Sequence, residues 1–271
     1  MKSKKLKVFV IGDTHDSPHI PDKRRFGWFS KHINNIKPDV IVHIGDLVTL
    51  DSCTHYIKDD TYTARIEKPY FIQEMRSLEG ALEEFDYWLK DKKIPKYITM
   101  GNHERRLWRY EDKNPSFYGL GQKEFLGTLK KYKWEVIPYG TYLMLGGVGF
   151  IHAPLNPMGK EYGGEASERQ VANKSKIDIV FGHSHRAQDN RVAKISNKKN
   201  DFTRIVNVGC SLPYNHIESY ARHSLTGWTY QVSEIIIWDE HIQEVHNVSM
   251  QRLEKEYDGR GIRKVKKNNI W

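Results

Sequence analysis

The chain has 271 residues, of which 38% are apolar and 28% charged, with a net charge of +9. That is enough apolar material for a core, which excludes wholesale disorder. Runs such as Val8–Ile11 and Ile235–Trp238 fall far short of the roughly 20 residues that cross a bilayer, and the two cysteines, Cys53 and Cys210, exclude a disulfide framework. The positive charge sits at the ends: residues 1–7 carry four lysines and no acid, and residues 252–271 carry seven basic and three acidic side chains, leaving the body near neutrality.

Lys5–Ile11 is a short β-branched run that predicts a buried strand. It stops at Gly12-Asp13, so the basic start is too short an apolar lead for an export signal. Asp22–Lys37 predicts a helix with Phe26, Phe29, Ile33 and Ile36 on one face, stopped before Pro38. Asp39–Ile44 is a second buried strand, Tyr70–Lys90 a long amphipathic helix, and Lys96–Met100 a third strand stopped by Gly101. The order β-α-β-α-β predicts an α/β layered domain with parallel strands.

The second half is richer in strands. Tyr142–Leu145, Val148–His152, Ile177–Phe181, Arg204–Val208 and Gly227–Trp238 read as strands, with a helix near Glu165–Lys176. Gly146-Gly147 marks a hairpin turn, and His241–Val248 pairs back on Gln231–Trp238. Thr49–Pro69, Arg105–Gln122, Ala153–Gly164 and Ser211–Thr226 carry no clear pattern and read as long loops. Trp88 and Trp238 fall on apolar faces and are expected in the core. With no linker in view, residues 1–251 are expected to form a single domain and residues 252–271 a basic tail.

The chemistry lies where the strands stop: Gly12-Asp13-Thr14-His15, Gly45-Asp46, Gly101-Asn102-His103-Glu104, His152 and Gly182-His183-Ser184-His185. In open α/β sheets, ligands bind beyond the carboxyl ends of the strands, so these five turns are expected to converge. Singly, each is weak: Asp13 suits a turn cap, His152 a hydrogen-bonded core histidine, and His183 and His185 surface positions. Together they form a mixed set of at least seven N and O donors, too many for one tetrahedral ion. Such a set suits two divalent ions about 3.5–4 Å apart, bridged by a carboxylate and clamping a phosphoryl group.

This order of motifs resembles the calcineurin-like metallophosphoesterase superfamily over residues 12–185. Asn207-Val208-Gly209-Cys210-Ser211 resembles the family's turn after the last histidines, and the runs 182–185 and 209–213 are similar to those of phage- or prophage-encoded members. The resemblance implies a four-layer αββα sandwich, two mixed β-sheets flanked by helices. It implies that Asp13, His15 and His185 hold one ion, that Asn102, His152 and His183 hold the other, and that Asp46 bridges them. A hydroxide held between the ions would be the nucleophile, and His103, off the metals, would act over the phosphate. The expected cofactors are two divalent ions, Mn²⁺ first, with Fe, Zn or Ni as alternatives.

One departure from the family stands out. Its usual Gly-Asp-x-x-Asp places a carboxylate beside the histidine at 103, whereas this chain has Thr49 there. Asp51, two residues on, is expected to take over that orienting role, with Asp16 as a second candidate and a local backbone cap as the plainer role for Asp51. The Arg that follows this block in Ser/Thr phosphoprotein phosphatases is also absent. Arg105 and Arg106 suit either substrate phosphate or a solvated helix start paired to Glu104 or Glu111.

The expected activity is hydrolysis of a phosphate ester by direct water attack. Phosphodiesters, nucleic acid among them through the basic ends, are favoured over phosphomonoesters of small molecules or proteins. A catalytically inactive scaffold is the third reading. No membrane partner and a cytoplasmic location are expected, and the oligomeric state is left open.

Overall fold

Alternate residues of the first strand face two different cores, which is why it reads as an unbroken apolar run. In the computed structural model, which describes residues 5–55, 61–162, 166–196, 201–218, 221 and 226–258, β1 (Leu6–Ile11) sends Val8 and Val10 to one side and Phe9 and Ile11 to the other. β2 (Val40–His43) does the same with Val40 and Val42 against Ile41. The first half continues with α1 (Arg24–Ile36), α2 (Tyr62–Glu67), α3 (Phe71–Trp88), β3 (Lys96–Thr99), α4 (Glu104–Lys113), α5 (Leu120–Lys131) and β4 (Trp134–Ile137). The second half comprises β5 (Leu143–Leu145), β6 (Val148–Phe150), α6 (Ser167–Lys174), β7 (Ile179–Phe181), β8 (Ala187–Ala193), β9 (Phe202–Val208), β10 (Gln231–Trp238), β11 (His241–Ser249) and α7 (Met250–Tyr257).

Two mixed sheets result. The first runs β11-β10-β1-β2-β3-β4, parallel from β1 to β4, with β10 and β11 antiparallel at one edge. The second runs β5-β6-β7-β9-β8, with β6, β7 and β9 parallel. Val8, Val42, Val148, Phe150, Val180 and Val206 meet between the sheets. The outer face of the first sheet is covered through Phe29, Ile33, Leu78, Phe85, Phe125 and Leu253 of α1, α3, α5 and α7, and that of the second through Val171 and Ala172 of α6. This is the expected sandwich of two sheets between helices.

Several local expectations are corrected. The stretch 105–122 is largely helical, in α4 and α5. The buried face of α4 carries Glu104 and Glu111 beside Leu107, so no apolar stripe announces the helix. β4 and the polar edge strand β8 also form where the sequence pattern predicts no strand. Trp238 is 52% exposed at the end of β10, and Trp88 is half-buried. The boundary at 252 falls inside α7, where Leu253 and Tyr257 are buried against the first sheet's helices. Residues 1–4 and 259–271, which hold most of the basic ends, and Glu165, the expected start of α6, lie outside the described residues.

Candidate metal centre

The parallel strands of both sheets release their carboxyl ends toward one place. Gly12 and Asp13 follow β1, Gly45 and Asp46 follow β2, Gly101 and Asn102 follow β3, His152 follows β6, and Gly182 and His183 follow β7. Two of the glycines are there for space: a Cβ on Gly101 would lie 2.1 Å from Asp46 Oδ1, and one on Gly182 would lie 2.4 Å from Asp13 Oδ1. His15, Asp46, His183 and His185 all hold positive φ, from +42° to +70°. Such backbone is costly for non-glycine residues and gathers at functional sites.

All seven expected ligands come together, and all but Asn102 and His183 are buried. Asp13 Oδ2 lies 3.1 Å from His185 Nε2 and 4.0 Å from His15 Nε2, and these two nitrogens are 3.1 Å apart. On the other side, Asn102 Oδ1 lies 3.0 Å from His152 Nε2 and 2.9 Å from His183 Nδ1. Asp46 stands between the two groups. Its Oδ1 accepts the His103 backbone N–H at 2.9 Å, while its Oδ2 faces His15 Nε2 at 3.7 Å and His152 Nε2 at 3.3 Å. Among the described residues, Asp13-His15-His185 and Asp46-His152-His183 each bring one donor atom per residue within 4.8 Å of the others, and so does His15-Asp46-His103.

The donor set fits cations. His152 donates Nδ1–H to the Ile44 carbonyl at 3.0 Å. In the neutral ring this turns the Nε2 lone pair toward the oxygens of Asn102 and Asp46, and that orienting bond to a carbonyl is typical of metal-binding histidine. Acceptors facing acceptors need positive charge between them. Burial opposes charge on His152, yet the adjacent Asp46 carboxylate lifts its pKa to about 10. Burial would raise Asp46, but the surrounding histidines, led by His152 and His103, hold its carboxyl well below the usual range. Burial pushes His15 and His183 down, reinforced by neighbouring histidines.

His103 is held by a main-chain carbonyl on one side and an arginine on the other. Nδ1 donates to the Thr49 carbonyl oxygen at 2.9 Å, and Nε2 accepts from Arg106 Nη2 at 3.1 Å. Arg106 Nη1 also donates to the Thr49 carbonyl at 2.8 Å and to Asp51 Oδ1 at 2.6 Å. The orienting role expected of Asp51 is therefore corrected. The main-chain oxygen of Thr49 orients the ring, and Asp51 acts on Arg106 instead. Asp16 is occupied elsewhere, by Lys23 at 2.7 Å, Ser77 at 2.7 Å and Arg25 at 3.2 Å. Neither arginine pairs with Glu104 or Glu111: Arg105 lies over the Tyr139 ring at 4.7 Å, and Arg106 is held as described.

Two carboxylates build the loops: Glu104, the last residue of the third motif, and Glu74, which no motif singled out. Glu104 accepts from the backbone N–H groups of Asp46, Leu47 and Gly101 at 2.7–3.0 Å, tying the second and third turns together. Glu74 of α3 accepts from Thr49 Oγ1 at 3.1 Å, Asp51 N at 2.7 Å, Ser52 N at 3.2 Å and Ser52 Oγ, and so fixes the loop that carries the Thr49 carbonyl. Burial lifts its pKa to about 7 against those donors. Its signal in the sequence was a charge at position 74 within the apolar face Phe71, Met75, Leu78, Leu82. Ser211, from the turn after β9, accepts from Gly12 N at 3.0 Å and pins the first loop.

No curated protein matches the chain. A metallophosphoesterase from Sphaerobacter thermophilus aligns at 14% identity over 93% of this chain and 94% of its own, with a TM-score of 0.46. The E. coli phosphoesterase Yfce aligns at 12% identity over 90% and 100%, with a TM-score of 0.39. Wild-type Vps29 from Entamoeba histolytica, complexed with zinc, aligns at 11% identity over 90% and 99%, with a TM-score of 0.34. The model of the calcineurin-like phosphoesterase family matches residues 6–187, two thirds of the chain and every candidate ligand, and the chain belongs to that family.

Proposed function

We propose that this chain hydrolyses phosphate esters with two divalent ions, Mn²⁺ first among them, and that its substrates are phosphodiesters, nucleic acid included. The observation that carries the reading is the pair of donor groups sharing one carboxylate: Asp13, His15 and His185 on one side, Asn102, His152 and His183 on the other, with Asp46 Oδ2 facing both. When bound, the two ions supply Lewis-acid polarisation of the phosphoryl group and an acidified water for in-line attack.

The chain's own residues do the rest. The His103 backbone N–H fixes Asp46 so that its second oxygen is shared. His103 faces the leaving side with its tautomer set by Thr49, and its Nε2 becomes available to the leaving oxygen when Arg106 turns to a substrate phosphate. Arg105 offers a second guanidinium on the Tyr139 side. The absence of the protein-phosphatase arginine and the basic ends support diesters over phosphoproteins. Among the described residues no helix is long and apolar enough to cross a membrane, and the two unpaired cysteines support a reducing, cytoplasmic setting.

The test is to strip the protein with a chelator, add Mn²⁺, and compare bis-p-nitrophenyl phosphate with p-nitrophenyl phosphate. Activity should return with the metal and be greater on the diester. Greater activity on the monoester would assign a phosphomonoesterase, and a metal-loaded protein inert on both would assign a scaffold.

A further inference from the structure

Besides the ligands, a second cluster stands on the Asn102-His152-His183 side of the centre, and three separate segments build it. Arg105 lies in the first turn of α4, three residues after Asn102. Tyr139 follows β4, whose last residue, Ile137, accepts the Met100 N–H at 2.9 Å, so it emerges beside the third turn. Glu161 arrives from the loop that begins at His152. There the Asn156 N–H donates to the Lys160 carbonyl at 2.8 Å and the Tyr162 N–H to the Pro154 carbonyl at 3.2 Å, which closes the loop as a hairpin and sets Glu161 opposite Leu155. The Arg105 guanidinium lies over the Tyr139 ring at 4.7 Å, and the Tyr139 hydroxyl donates to Glu161 Oε1.

The charge of Glu161 has no counterpart in this cluster. Arg106 is matched by Asp51 at 2.6 Å, but among the described residues no lysine or arginine pairs with Glu161, whose side chain is held by Tyr139. Burial would raise the Glu161 pKa, but the Tyr139 bond, and after it the His183 and His152 rings, hold it below the usual carboxylate range. The influence is mutual, since Glu161 is among the groups that work against burial to raise His183. Carboxylate and donor group therefore share one electrostatic neighbourhood. A fixed negative charge beside a site that takes anions weakens all of them, and weakens most the anion with the greater charge. At neutral pH a phosphodiester carries one negative charge and a phosphomonoester close to two.

We infer that Glu161, held by Tyr139, is a specificity-determining residue that acts by repulsion: it disfavours a second negative charge on the phosphoryl group and so shifts the site toward diesters. The inference deepens the phosphodiesterase reading and rests on it for what occupies the site. Its test is Glu161→Gln, which keeps the size and an acceptor for the Tyr139 hydroxyl but removes the charge. In Mn²⁺-loaded protein at pH 8, isothermal titration calorimetry should show orthophosphate, a dianion, binding about tenfold tighter to the variant and diethyl phosphate, a monoanion, about threefold tighter, because Coulomb energy scales with charge. The kcat/KM ratio of p-nitrophenyl phosphate to bis-p-nitrophenyl phosphate should rise about threefold with it. Glu161→Asp, which keeps the charge, should leave that ratio unchanged, and so should Glu240→Gln at the β10–β11 turn, beyond the amino end of β1. Equal gains for the two anions, or no gain, overturn the inference. So does the loss of a Mn²⁺ from Glu161→Gln by elemental analysis, which would make Glu161 a ligand. The two readings fail separately. A wild type faster on the monoester, whose ratio still rises in Glu161→Gln, overturns the diester preference and keeps the selection by charge. A wild type faster on the diester, with a ratio that Glu161→Gln does not move, overturns the role of Glu161 alone.

Discussion

Around His152 a carboxylate touches the ring directly, whereas around His103 the carboxylates act one bond away. Asp46 Oδ2 stands 3.3 Å from His152 Nε2 in a buried pocket, and this carboxylate lifts the ring's pKa to about 10 against the effect of burial. At His103 the partner of Nδ1 is the Thr49 carbonyl, while Asp51 and Glu74 hold the arginine and the loop behind it. Burial and the Arg106 charge outweigh Asp46 and push the His103 pKa down. A neutral dipole orients an imidazole without holding a proton on it. The first places a carboxylate oxygen beside the histidine nitrogens, where a cation can be held; the second leaves a ring whose Nε2 is shared with a guanidinium.

The largest expected effect lies on the cation side. Asp46→Asn removes the charge that both donor groups share, and should lower hydrolysis of bis-p-nitrophenyl phosphate by about a thousandfold and deplete both metals. Full two-metal content by elemental analysis would remove Asp46 from the bridge. The next tests whether His103 is oriented by charge. Thr49→Asp restores the family's residue, but the side chain at 49 is 2% exposed and points to Glu74, not to His103. It should cost about 3 kcal/mol in urea unfolding by burying one carboxylate against another. A faster enzyme of unchanged stability would show that a carboxylate at 49 reaches the ring after all.

Glu74→Gln sharpens the loop side of the comparison. Its amide nitrogen cannot accept the bonds that the second carboxyl oxygen takes from Ser52, which should cost about 1–2 kcal/mol at pH 5. The folded pKa of about 7 lies above the reference 4.5, so the folded state holds this proton more tightly. Its contribution to stability is full below about pH 4.5 and is lost as pH rises through 7. The wild type should therefore lose its advantage over Glu74→Gln between pH 5 and 8, and parallel stability curves would contradict the assignment. The smallest effect is expected of Asp51→Asn, which keeps an acceptor for Arg106 but loses the charge. It should retain both metals and lower kcat/KM about threefold through KM. A loss confined to poor leaving groups would instead place Asp51 in proton transfer through His103.

The layers, and the convergence of the Asp, Asn and His residues, are legible in the chain's own pattern. Runs such as Val8–Ile11 and Asp39–Ile44, stopped by glycine, are the signature of strands buried on both faces, and an Asp, Asn or His just past each stop meets the others because parallel strands in layered sheets end together. What it left open depends on contacts between segments far apart in the chain. The helix α4 hides from periodicity because Glu104 and Glu111 occupy its buried face, where they serve backbone N–H groups of other segments. Trp238 reads as core from its run but ends up exposed at the end of its strand. Asp51 was the natural substitute for a missing carboxylate because sequence reveals side chains. The tertiary structure chose the main-chain oxygen of Thr49, a group every residue carries, and only the pinning of its loop by Glu74 across 25 residues of chain aims it at His103.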